Sequence, residues 1–119
     1  MKRSMIMLAL ALALASGTIA AHAHAALERA DPREGSSLPS APQQVTLWFT
    51  QRLEPAFSTI TVTDASGQEV TDGKANVDGK TMQVSLRAVG PGTYQVKWRA
   101  LSVDTHKTEG SFSFTVGGR

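Results

Sequence analysis

The stretch Thr93-Tyr94-Gln95-Val96-Lys97-Trp98-Arg99-Ala100-Leu101 decides the fold class. Tyr94, Val96, Trp98 and Ala100 occupy every second position, with Gln95, Lys97 and Arg99 between them. Successive side chains of a strand point to opposite faces, so this alternation sets a bulky apolar row against a polar, charged one. The stretch reads as a half-buried strand. Pro91-Gly92 supplies a turn ahead of it, and Gly110 to Val116 repeats the period with Phe112, Phe114 and Val116.

The same pattern extends toward the N-terminus. Thr81 to Arg87 places Met82, Val84 and Leu86 on one side, and Asp78-Gly79 just before it suits a hairpin tip. Asp72-Gly73 and Asp64-Ala65-Ser66-Gly67 are turn signals. A run beginning at Phe57 puts Ile60 and Val62 on one face, and Val45, Leu47 and Phe49 alternate with Thr46, Trp48 and Thr50. Ala26 to Ala30 reads as a short first strand, followed by the turn-rich Asp31 to Ser37 and by Pro39 and Pro42. About seven short strands with frequent turns and no helical period predict an all-β domain. The expected architecture is a small antiparallel Greek-key barrel or sandwich, cupredoxin-like or immunoglobulin-like. Tyr94, Trp98, Phe112 and Phe114 belong to its core. Trp48 faces away from Leu47 and Phe49, which suits a surface residue, a partner contact or a lid over a site.

The remaining helical stretch is not part of that domain. Met1-Lys2-Arg3 is a basic start, and the apolar run Met5 to Ala15 has the length of a signal-peptide core, too short to span a bilayer. Residues 1–23 read as an export signal that is removed, with Ala21-His22-Ala23 as the preferred cleavage frame, leaving 24–119 as the domain. A cut after Ala21 competes with it. Loss of Lys2 and Arg3 reduces the 12 basic residues to the same number as the 10 acidic ones. The processed chain therefore offers no clustered positive surface for nucleic acid or anionic lipid. No direct membrane insertion after processing is expected. With no cysteine, disulfides, thiolate metal sites, cysteine nucleophiles and lipid attachment through cysteine are excluded.

Three histidines remain to be placed: His22, His24 and His106. Processing after Ala23 makes His24 the first residue, joining a free α-amine and an imidazole on one position. Asp104-Thr105-His106 follows the Tyr94 strand, and residues two apart in extended backbone point to the same side, so its carboxylate and imidazole can converge. Alone, such a pair more often orients a surface histidine or closes a turn. Together with a terminal His24 it provides nitrogen-rich, hard donors that suit tetragonal Cu(II), the ion at the top of the divalent affinity order. Copper must displace protons from the amine, with a reference pKa of about 7.7–8.0, and from imidazole at about 6.5, so binding weakens in acid. Processing after Ala21 would instead let His22, two amides and His24 wrap the ion in a four-nitrogen plane. A frayed terminus with nothing bound is the bland alternative.

Three segments extend the pattern beyond single residues. They are His24-Ala25-Ala26-Leu27 with Pro32 and Gly35-Ser36, Leu47 to Glu54, and the block Gly92 to His106 followed by Gly110 to Val116. In these the chain resembles the CopC family of periplasmic copper-binding proteins over nearly all of its processed length. The resemblance implies a periplasmic Cu(II) protein for sequestration, trafficking or resistance, with His24, Asp104 and His106 as ligands. It also implies a CopD-like inner-membrane copper transporter as a partner. A monomer is expected. Some relatives carry a second, Cu(I) site in a Met- and His-rich loop, whereas Met82 is the single methionine after residue 23, so no Cu(I) site is expected. Relatives often carry Glu where Gln51 stands, and Glu54 is the nearby carboxylate to substitute for it.

Two other classes compete. A histidine-brace copper oxygenase uses a similar terminal chelate, but the processed domain offers little surface for a flat glycan, and a carboxylate in the copper plane blocks the position oxygen needs. The chain is accordingly expected not to be an enzyme. A metal-free β-sandwich interaction module, using Trp48 or the charged strand faces, predicts stability indifferent to copper.

Overall fold

The computed structural model describes residues 26–117. The expected signal segment, its cleavage frames, His22 and His24 lie outside the described residues. Eight strands follow in order: β1 (Leu27–Asp31), β2 (Ser37–Leu38), β3 (Gln44–Phe49), β4 (Thr59–Thr63), β5 (Thr71–Asp78), β6 (Thr81–Leu86), β7 (Gly92–Leu101) and β8 (Lys107–Val116). A single 3-10 turn, Pro55–Phe57, precedes β4. The strands form two four-stranded sheets, ordered β1-β3-β6-β5 and β2-β8-β7-β4. Between them lies the core. The architecture is the expected all-β one, resolved as a sandwich.

The alternating apolar rows are what join the sheets. Val45, Leu47, Phe49, Met82 and Val84 from one sheet, and Val62, Val96, Phe114 and Ala100 from the other, are almost wholly buried. Each large apolar side chain so buried contributes about 1.5–3 kcal/mol relative to exposure. Phe49 meets Trp98 edge-on across the sandwich, with ring centroids 5.1 Å apart and planes at 74°. Tyr94 and Phe114 stack within their own sheet at 5.5 Å, and the Tyr94 hydroxyl donates to the Gly90 carbonyl at 2.6 Å. Tyr94, Trp98, Phe112 and Phe114 are all core residues.

The longest pairing is the β7–β8 hairpin, in register from Gly92 opposite Val116 to Leu101 opposite Lys107. Within it Trp98 lies across from Gly110, whose missing side chain leaves room for the indole. Asp78-Gly79 is the hairpin tip expected from its sequence, with Asp78 paired to Thr81 and Gly79 at φ 64°.

Four sequence expectations change. Asp72-Gly73 is not a turn between strands. It lies inside β5, where the register against β6 shifts between Asp72 and Asn76 and Gly73 takes φ 87° to accommodate the irregularity. Phe57 does not begin the next strand, because Pro55 starts a 3-10 turn that leaves its ring 67% exposed. Ser37–Leu38 forms a two-residue strand inside the expected loop and runs parallel to β8, so the sheets are not wholly antiparallel. β8 begins at Lys107 rather than Gly110.

Candidate metal centre

The connection between β7 and β8 is only five residues long, Ser102 to His106, so the long hairpin holds both of its ends. Ser102 N–H donates to the His106 carbonyl at 3.0 Å, and Thr105 N–H donates to the Ser102 carbonyl at 2.8 Å. Thr105 adopts φ 71°, a left-handed conformation uncommon for a β-branched residue. The sequence pattern suggested convergence of Asp104 and His106 from extended backbone. They do converge, but across a tight turn. With only five residues between the strands, an extended path cannot reverse the chain.

Side chains meet at the middle of this turn. Asp104 Oδ1 lies 3.3 Å from His106 Nδ1, with the two side chains 42% and 46% exposed. Two donors placed cis around a metal at about 2.0–2.1 Å are about 2.9 Å apart, so a small adjustment of either side chain lets one ion occupy the space between them. Ser102 is fully buried beneath the pair. Its hydroxyl donates to Asp104 Oδ1 and accepts the His106 backbone N–H at 3.3 Å. That hydroxyl is the main reason the Asp104 carboxyl is held below its usual pKa. Partial burial opposes the shift, and the hydrogen bond and charge of His106 add to it. The group is thus a carboxylate, available as an anionic donor, throughout the neutral range.

Ala26, the first of the described residues, is tied to the segment that leads to this turn. Its N–H donates to Thr50 Oγ1 at 2.9 Å, and its carbonyl accepts Thr50 N–H at 3.0 Å. From there residues 51–54 cross to the second sheet. Val103 N–H donates to the Arg52 carbonyl at 3.0 Å, Leu53 bridges Ser102, and Glu54 N–H donates to the Leu101 carbonyl at 2.8 Å. Gln51 therefore stands between the residue that holds Ala26 and the one that holds the turn. His24 precedes Ala26 by two residues, a reach of roughly 7 Å in extended chain.

Of the three residues expected to bind metal, Asp104 and His106 come together in the structure, and His24 lies outside the described residues. No cluster of three or more His, Cys, Asp or Glu occurs among the described residues, so this part of the chain supplies a pair of donors. Met82 is wholly buried in the core. Trp48 is partly buried, and the Arg29 guanidinium lies over its ring at 3.8 Å from the centroid. Ser102 was not singled out from sequence. Its signal was the spacing Ser-x-Asp-x-His, where a small polar residue at a strand end reads as ordinary turn chemistry. Phe57 and Val103, the exposed large hydrophobic residues among those described, flank the same turn.

A family model described as the CopC domain matches residues 27–117. Copper resistance protein C of Pseudomonas syringae pv. tomato is 38% identical over 105 residues, covering 81% of this chain and 82% of that protein. The copper transport protein CutJ of Bacillus subtilis is 33% identical over 99 residues, which are 80% of this chain but 18% of CutJ. The crystal structure of CopC from Methylosinus trichosporium OB3b superposes with a TM-score of 0.76 at 31% identity, covering 81% of this chain and 96% of that one.

Proposed function

The chain belongs to the CopC family, and from that premise we propose that it is a periplasmic carrier of a single Cu(II) ion, serving copper sequestration, trafficking or resistance. Residues 1–23 are the export signal, and the domain 24–119 begins at His24 once they are removed. The α-amine and imidazole of His24, the Asp104 carboxylate and the His106 imidazole hold the ion. The observation that carries this reading is the Asp104–His106 pair at 3.3 Å, exposed to solvent and set at the end of the sandwich to which Ala26 is also tied.

The donor chemistry supports Cu(II) in particular. Nitrogen and carboxylate oxygen suit its tetragonal preference, whereas soft thioether or thiolate would favour Cu(I). Burial of Met82 in the core and the lack of cysteine support a domain without a Cu(I) site. Binding, rather than turnover, is its role, and it acts as a monomer. Its membrane partner is a CopD-like copper transporter. The match to CutJ supports that partnership, since there a domain like this one forms 18% of a longer copper transport protein. Among the described residues no helix is long and apolar enough to cross a membrane.

Titration of the processed protein with Cu(II), followed by electron paramagnetic resonance, tests the assignment. One equivalent is expected to bind with a tetragonal, nitrogen-dominated spectrum. His106→Ala and Asp104→Ala are each expected to weaken binding by at least tenfold, or about 1.4 kcal/mol. Undiminished binding in both variants would sink the model and point to the four-nitrogen site that a His22 terminus creates.

A further inference from the structure

We infer that Ser102 is the positioning residue of the Asp104–His106 pair, its buried hydroxyl fixing where the carboxylate stands relative to the imidazole before any ion arrives. The inference rests on the copper site proposed above. Ser102 is fully buried and its backbone is held twice: its N–H bonds the His106 carbonyl and its own carbonyl accepts Thr105 N–H, while the bonds of its neighbours, Glu54 N–H to Leu101 and Val103 N–H to Arg52, pair it with Leu53. A hydroxyl on such a base is a fixed point. It has one proton and two lone pairs, and the structure uses both kinds. The proton goes to Asp104 Oδ1, and a lone pair takes the backbone N–H of His106.

One atom therefore ties together the side chain of one donor and the backbone of the other. Without it, the Asp104 carboxylate is held by His106 and no longer by a buried base, and the His106 N–H loses one of its acceptors. An ion would then have to order both groups as it bound, a cost that the hydroxyl removes in advance. Partners that orient metal-binding side chains act in this manner, and their loss typically weakens metal affinity by about 10–100-fold. The pattern Ser-x-Asp-x-His is thus a three-part unit, of which only two parts touch the metal.

The test compares three substitutions in the processed protein: Ser102→Ala, Ser102→Val and Ser102→Thr. Val and Thr have nearly the same shape and differ by the hydroxyl. Each variant is first checked metal-free by circular dichroism and thermal melting, then titrated with Cu(II) and examined by electron paramagnetic resonance. Ala and Val are expected to lose about 10–100-fold in affinity and to show an altered spectrum, with Thr restoring both. Wild-type affinity and spectrum in folded Ala would overturn the inference, as would equal losses in folded Val and Thr. If Val and Thr do not fold, the Ala result decides alone. If Ala is also unfolded as isolated, its affinity is measured in trimethylamine oxide, which restores burial, against wild type in the same solution. Asp104→Ala and His106→Ala are run alongside. If neither weakens copper binding, the copper site itself is wrong. If both do and Ser102→Ala does not, only the role of Ser102 falls.

Discussion

A β-carbon on Gly110 would lie 2.8 Å from Cζ2 of Trp98 and 3.0 Å from Cε2, closer than non-bonded carbons approach. The indole is itself fixed by Phe49 on the opposite sheet, so it cannot simply retreat. Gly110→Ala is therefore expected to destabilise the metal-free domain by about 1–3 kcal/mol, the usual cost of overpacking. Thermal unfolding monitored by circular dichroism measures it, and an unchanged midpoint would contradict the packing described. Nothing in the sequence announced this constraint, since a glycine at the head of an alternating run reads as a strand boundary. Asp104 and His106 were legible because their chemistry is written in their identity and spacing. Ser102 was not, because its importance comes from burial, which a lone serine does not reveal.

Elements differ in how plainly they are written. The strands β3, β6, β7 and β8 face a packed layer and carry strict apolar alternation, so their existence could be read directly. β5 could not, because this edge strand runs Thr71-Asp72-Gly73-Lys74-Ala75-Asn76-Val77-Asp78 and is mostly exposed, with few apolar residues to mark a period. β2 is too short to carry any period. The β7–β8 connection was correctly started after Leu101 but read three residues too long and with the wrong backbone, since a left-handed Thr105 has no compositional signal. This element also sets the pH behaviour. Because Asp104 is held below its ordinary value of 3.8, its contribution to the closed turn is fully present above that value and is lost only as the pH falls through the lowered one. The Asp104 carboxyl carbon, followed by nuclear magnetic resonance, is expected to show its carboxylate titration midpoint below 3.8. A midpoint at or above that value would contradict the hydrogen bonding seen. In the site proposed above, protonation of Asp104 is therefore not what would release copper on mild acidification. Asp104→Asn should accordingly lower affinity while leaving its pH slope between about 5 and 8 unchanged.

At the scale of the whole molecule, an all-β domain of short strands around one packed core was foreseeable from composition and period, and the choice of a two-sheet sandwich over a barrel was not. Pairing order and the crossing of residues 51–54 depend on contacts between distant segments, which no local pattern encodes. The same crossing makes ion binding a matter for global stability. A ligand at 100 times its dissociation constant adds about 2.7 kcal/mol to the folded state. For a domain of this size that should raise the melting midpoint by about 10–20 °C. Differential scanning calorimetry with and without Cu(II) reads this directly. Indifference to copper would favour the interaction-module reading.

In the site proposed above, the two grips on a shared ion would be mounted very unequally. One sits on the closed end of a hairpin paired from Gly92 to Leu101, and loosening it means unzipping the best-buried part of the protein. The other leads off from Ala26, moored by a pair of hydrogen bonds to Thr50. In that site, handing the ion to a receiver would begin at the amino-terminal mooring, since the paired hairpin is the harder of the two to move.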